Sequence, residues 1–206
     1  MFRNSKLVLT LALVAATAAG CAQPIETRPV SAELAPLEFR APVLGDRLVW
    51  QDGDEQIAWT VAGMSDGLVT SASSTGCRWT GASLLAPSTR WENCDPFSDG
   101  THTYAKTGEI FPLQVGNAMS FDASGSNVDG DTWDNVRTCT VDGTAQVDVP
   151  AGTFDTYRVI CDDGNTRRTF FYAPETGTPV MYERLRRNQN ERRLYKLVSF
   201  TPGAAA

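Results

Sequence analysis

Past residue 40 the chain alternates short apolar and polar positions and shows no helical period. The runs 46–51 (DRLVWQ), 55–61 (EQIAWTV), 67–73 (GLVTSAS), 137–149 (RTCTVDGTAQVDV), 153–161 (TFDTYRVIC), 166–172 (TRRTFFY), 179–186 (PVMYERLR) and 191–200 (ERRLYKLVSF) are rich in Val, Ile, Thr and aromatic residues. Such residues suit a pleated, half-buried strand. A further run, 109–121 (EIFPLQVGNAMSF), breaks near Gly116. Gly, Asp, Asn or Ser separates most of these segments, as tight turns require. No stretch beyond the N-terminus holds an apolar stripe over three helical turns. The pattern predicts an all-β fold: an antiparallel meander forming a sandwich or an open barrel. It divides into an N-terminal β half over 41–110, a C-terminal meander over 111–200 and a tail over 201–206 (TPGAAA).

The N-terminus has a different texture. Residues 1–6 (MFRNSK) carry two cations, and residues 7–19 (LVLTLALVAATAA) are apolar, which is the layout of an export signal. The apolar run is short for a membrane-spanning helix. Ala18-Ala19-Gly20-Cys21 resembles the bacterial lipobox, in which small residues precede a Cys that is acylated and becomes the first mature residue. Ala18 departs from the Leu usual there. The alternative is ordinary cleavage after Ala18, which would leave Cys21 a free thiol. Cys21 is therefore the expected lipidation site, and residues 1–20 the signal peptide. Two acyl chains hold a protein stably at a bilayer, each buried CH₂ contributing about 0.8 kcal/mol. An Asp after the Cys would resemble an inner-membrane retention signal; Ala22 favours the outer membrane, with the domain facing the periplasm. Residues 22–40, with three prolines and no period, read as a tether behind the anchor.

Four cysteines remain, Cys77, Cys94, Cys139 and Cys161. In an oxidising compartment an even count reads as two disulfides, with three possible connectivities. Folding 137–161 about Pro150-Ala151-Gly152 sets Cys139 opposite Cys161 and Val141 opposite Val159, within reach of a bridge. A competing turn at Asp142-Gly143 would put the two cysteines two strands apart; a bulge at Gly143 keeps them paired. Cys77 and Cys94 fold about Leu85-Ala86, which brings Arg78-Trp79 near Arg90-Trp91. The expected bridges are Cys77–Cys94 and Cys139–Cys161.

Residues 147–161 (VDVPAGTFDTYRVIC), 170–180 (FFYAPETGTPV) and 194–200 (LYKLVSF) resemble a proteobacterial family of envelope lipoproteins of unknown function, whose hallmark is V-P-A-G-T-F-x-x-Y on one hairpin. The resemblance covers roughly the last 95 residues. It implies an envelope address and no catalytic assignment.

Composition narrows the chemistry. The full chain carries a net charge of −6, and the portion from Cys21 onward carries −8, because Arg3 and Lys6 leave with the signal. A nucleic-acid partner would want the opposite sign. No cofactor is expected, and no Cys-x-x-Cys spacing supports redox catalysis or zinc. His102 is the only histidine, so a hydrolase or isomerase working in a barrel pocket would have to use it or an acid pair drawn from Glu109, Glu175 and Glu183. The acidic stretch 122–135 reads as a solvated hairpin loop, and it offers Asp122, Asp129, Asp131 and Asp134 as oxygen ligands for calcium, without the spacing of an EF-hand. Arg184, Arg186, Arg187, Arg192 and Arg193 cluster on the last hairpin of an acidic protein. They read either as a patch for an anionic partner or as charges guarding a sheet edge. The leading functional reading is a non-catalytic binding or envelope-structural β-module. It would be tied to the membrane through its lipid and free to meet an envelope protein or glycan. A carrier of a lipophilic ligand in a hollow barrel is the third reading.

Overall fold

The computed structural model describes residues 25–94 and 98–204, so the signal peptide and Cys21 lie outside the described residues. Among the described residues twelve strands follow one another: β1 Arg47–Asp52, β2 Glu55–Ser65, β3 Leu68–Ser73, β4 Arg78–Gly81, β5 Arg90–Glu92, β6 Gly100–Glu109, β7 Ala118–Asn127, β8 Thr132–Val149, β9 Gly152–Asp162, β10 Thr166–Ala173, β11 Thr178–Arg186 and β12 Glu191–Thr201. A single 3₁₀ turn, Arg187–Gln189, joins the last two. Each strand pairs antiparallel with the next, and β1 pairs with β12, so the sheet closes on itself. The expected meander is therefore a closed up-and-down barrel, neither sandwich nor open barrel. Closure removes the unpaired edges that an open sheet would expose.

Local chemistry sets the hairpins. Asp66 and Gly67 both take positive φ, 53° and 74°, in the two-residue turn between β2 and β3, a turn conformation that Asp-Gly favours. Pro150 and Ala151 form the β8–β9 turn, which places Cys139 opposite Cys161 and Val141 opposite Val159. The register then slips between Val141 and Gly143, a bulge that reverses which face of β8 is presented from there on. The first cysteine hairpin sets Trp79 directly opposite Trp91.

The core lies in two clusters. The first gathers Leu85, Ile110, Leu113, Met119, Phe121, Val141, Val159 and the Cys139–Cys161 bridge; the second gathers Trp50, Val147, Phe171, Val180, Met181 and Leu197. Successive strand residues point to opposite faces. On β10, Phe170 and Tyr172 join the first cluster, while Phe171 and Ala173 join the second. This strand is thus buried on both sides. The loop 82–89 turns inward below the short strands β4 and β5, burying Leu85 and Ala86 in the first cluster.

Three stretches differ from the expectation. Residues 25–40, expected as a tether, form an arm against the barrel. The Arg28 and Gln146 backbones exchange hydrogen bonds of 3.0 and 2.8 Å, Leu37 and Leu113 do likewise at 3.1 and 2.7 Å, and the Tyr157 hydroxyl donates to the Leu34 and Ala35 carbonyls. The arm satisfies the edge of β8 that outruns β7, since that pairing ends at Thr140. The acidic stretch 122–135, expected as a loop, is mostly strand: β7 and β8 flank a turn at 128–131. Phe121 and Ala123 alternate inward with Asp122 and Ser124 outward, and that alternation is the pattern of a wall. In the expected tail, Thr201 ends β12 and the Gly203 amide donates to Asp46 at 2.8 Å.

Candidate functional site

Strand direction sorts the barrel into two ends. β8 starts beside the 128–131 turn, and its antiparallel neighbours put 163–165 and 187–190 at that same, first end. The arm meets β8 at Gln146, on the β8–β9 hairpin whose tip packs on β12, the Ala151 amide donating to the Leu197 carbonyl.

His102 stands on β6 near the first end, opposite Gly125, which in turn stands opposite Trp133. The Trp133 indole N–H donates to His102 Nε2 at 3.0 Å. An indole nitrogen can only donate, so Nε2 accepts, and the imidazole proton sits on Nδ1. Nδ1 then donates to the Ser88 carbonyl at 2.8 Å. The Trp91 ring lies 4.8 Å from the imidazole, and its own N–H donates to the Ser98 carbonyl. Burial holds His102 below its ordinary pKa, opposed in part by the Ser88 carbonyl. Both ring nitrogens are thus spoken for, neither by a hydroxyl nor by a carboxylate. The arrangement is an aromatic nest, seated on glycines because side chains there would collide with the rings. A Cβ at Gly125 would come 2.5 Å from His102 and Trp133, and one at Gly100 would strike Trp91.

The acid candidates stay apart. Glu109 pairs with Lys106 and Glu183 with Arg192, while Glu175 sits in the β10–β11 turn. The four aspartates considered for calcium spread over two strands and a turn: Asp122 opposite Val136, Asp134 accepting from Ser124, Asp129 from Ser98, Asp131 from Asn127. Among the described residues no three metal-ligating side chains of His, Cys, Asp or Glu converge.

The arginines of the last hairpin divide by face. Directly opposed residues share a face. Met119, Cys139, Cys161, Arg168, Arg184 and Arg193 form one such row across β7 to β12. Met119, Cys139 and Cys161 are buried in the first core cluster, so the row faces inward. One step nearer the first end, Phe121 opposes Arg137, Thr166 opposes Arg186, and Arg186 opposes Glu191. Arg137, Arg168, Arg184 and Arg186 therefore line the interior rim. Arg192 lies on the other face with Glu183, and Arg187 forks onto Asp162 outside, holding that carboxyl down at about 2. The sheet is closed, so the edge-guard reading of these arginines has no edge to protect.

Carboxylates within the rim are fewer than guanidinium groups. Asp163 meets Arg168 at 3.0 Å and Arg137 at 4.0 Å; Glu191 meets Arg184 at 3.5 Å and Arg186 at 3.2 Å. Arg193 adds a fifth guanidinium, shared between Asp52 and Glu191. Below this rim Phe170, Tyr182 and Tyr195 oppose one another in a row, with Tyr182 stacked on Tyr195 at 4.2 Å. Sequence reasoning missed Arg137, Arg168 and Asp163, which lie 10 or more residues before the last hairpin. The available signal was register: once Cys139 and Cys161 face inward, Arg137 and Arg168 share their face.

Fold and rim together define a class, a twelve-stranded up-and-down barrel with an apolar core and a ring of inward-facing arginines. Among solved structures the chain is similar to the hypothetical lipoprotein YmcC from Escherichia coli K12, at 8% identity and a TM-score of 0.49, over 84% of this chain and 92% of that one. It is also similar to a Bacteroides fragilis protein described as exported and of YmcC-like fold, at 10% identity and a TM-score of 0.40, over 80% of this chain and 99% of that one. No family model matches the chain, and no curated protein matches it.

Proposed function

We propose that the chain is an exported lipoprotein, acylated at Cys21 and held at the outer membrane with its barrel facing the periplasm, where it acts as a non-catalytic binding or envelope-structural module. The observation that carries the non-catalytic part is the state of His102, whose two nitrogens are engaged by Trp133 and the Ser88 carbonyl. A general base must reach the proton it takes, and a nucleophile must stand beside it. The interior supports a binding role at the rim better than a lipophilic carrier, because aromatic and aliphatic side chains fill the inward-facing first core cluster. Ile25, four positions after Cys21, packs against the second cluster. Extended chain of that length spans at most about 14 Å, so the arm would hold the barrel close to the bilayer.

Intact mass of protein extracted from membranes tests the anchor. The expected species starts at residue 21 and carries acyl chains, and Cys21→Ala moves the protein to the soluble periplasmic fraction. A mass starting at residue 19 with a free thiol overturns it.

A further inference from the structure

The rim holds a physical imbalance. Four arginines, Arg137, Arg168, Arg184 and Arg186, face the barrel interior with side chains only 11 to 25% exposed, and Asp163 and Glu191 are the carboxylates among them. Arg168, Arg184 and Arg193 stand directly opposite one another, an arrangement of like charges that is unfavourable on its own. The Nε atoms of Arg137 and Arg184 are buried without a hydrogen-bond partner. Arg137 relies on the Leu85 carbonyl at 3.4 Å and on the distant edge of Asp163. Burial and the neighbouring Arg168 push its guanidinium down to about 9. Buried cations with unfilled donors are destabilising unless a counter-charge completes them.

We propose that this end of the barrel is an oxyanion-binding mouth, in which Arg137, Arg168, Arg184 and Arg186 clamp the phosphate or carboxylate group of a ligand. Guanidinium forks match the oxygen spacing of such groups, whereas a spherical chloride offers no second acceptor atom to the fork. Such an oxyanion is carried both by lipid headgroups and by water-soluble envelope components, and the arm does not separate them: its Arg28 pairs with Asp148, and the β8–β9 tip beside it packs on β12, where the Ala151 amide donates to the Leu197 carbonyl at 3.0 Å. The clamp does not depend on the proposed anchor.

Titration calorimetry of the detergent-solubilised mature protein with inorganic phosphate, with ionic strength matched by chloride, tests the site. The expected result is saturable one-site binding, weakened about tenfold or more by Arg184→Gln and by Arg168→Gln, and within about twofold of wild type for the outward-facing Arg187→Gln. Arg184→Lys keeps the charge and removes the fork, so it serves if the Gln variants do not fold; it too is expected to weaken phosphate. Absence of saturable heat overturns the mouth, as does binding that survives the rim variants and fails in Arg187→Gln. In a second arm, the wild-type protein is mixed with phosphatidylglycerol vesicles and with phosphatidylcholine vesicles. Equal, weak association with both assigns the oxyanion to a water-soluble component. Arg184-dependent association with the anionic vesicles assigns it to a lipid headgroup.

Discussion

The indole N–H of Trp133 and Nε2 of His102 lie 3.0 Å apart, two residues brought together from β8 and β6 across the glycine between them. That bond, with the Nδ1 bond to Ser88, makes the neutral imidazole the form the fold needs. The consequence is a pH dependence with a definite sign. The folded pKa lies below the ordinary 6.5, so the unfolded chain takes the proton first. Stability is full above about pH 6.5 and falls as pH drops below it. Arg137 and Arg168 also act on the ring to lower its pKa, and Asp163 to raise it. Thermal unfolding at pH 7 and pH 5 should show a loss in wild type that His102→Gln reduces. An equal loss in both proteins would place the effect elsewhere.

Gly125 separates those two rings, and a methyl group there has no room. Gly125→Ala is expected to lower stability by about 1–3 kcal/mol, the range for overpacking a well-filled site. Urea denaturation should show a lower midpoint with an unchanged slope. A neutral outcome would mean that the aromatic nest shifts freely.

Asp46 ties three parts of the chain together. Its carboxylate is 2% exposed and accepts from both Nη atoms of Arg40 at 2.7 and 2.9 Å, from the Val43 amide and from the Gly203 amide, each at 2.8 Å. Asp46→Ala leaves these donors unfilled. A loss of about 2–3 kcal/mol is expected, tempered because Arg40 retains some access to water. Amide hydrogen exchange should rise at Gly203 and Val43 before the strands exchange.

The two disulfides close loops of similar length, with sequence separations of 17 and 22. Each should therefore contribute about 3 kcal/mol through the unfolded chain. Access differs: Cys139 and Cys161 are buried at 0 and 1% exposure, while Cys77 and Cys94 are only half-buried. Mild thiol treatment of the folded protein should open Cys77–Cys94 first, as peptide mapping after alkylation would detect. Simultaneous reduction of both would mean that the core opens on the same timescale.

Much of this architecture follows from the sequence itself. The alternating runs marked most of the strands, because a residue period of two is a local property. Pro150 to Gly152 determined the register that pairs Cys139 with Cys161, since a short turn leaves little freedom in what stands opposite what. Strand β6 (GTHTYAKTGE) showed only in the alternation of Thr101, His102 and Thr103, because Lys106 and Gly108 dilute the rest of its signal. The acidic stretch looked like a loop because its outward positions are all small or charged.

Tertiary structure alone decided three things. Pairing of β1 with β12 joins residues some 150 positions apart, and no local pattern announces it. Packing of the arm on β8 depends on how far that strand outruns β7. The inward turn of Arg137, Arg168, Arg184 and Arg186 depends on a choice that alternation cannot make. A period of two says which residues share a face, and only closure around a core says which face is inside.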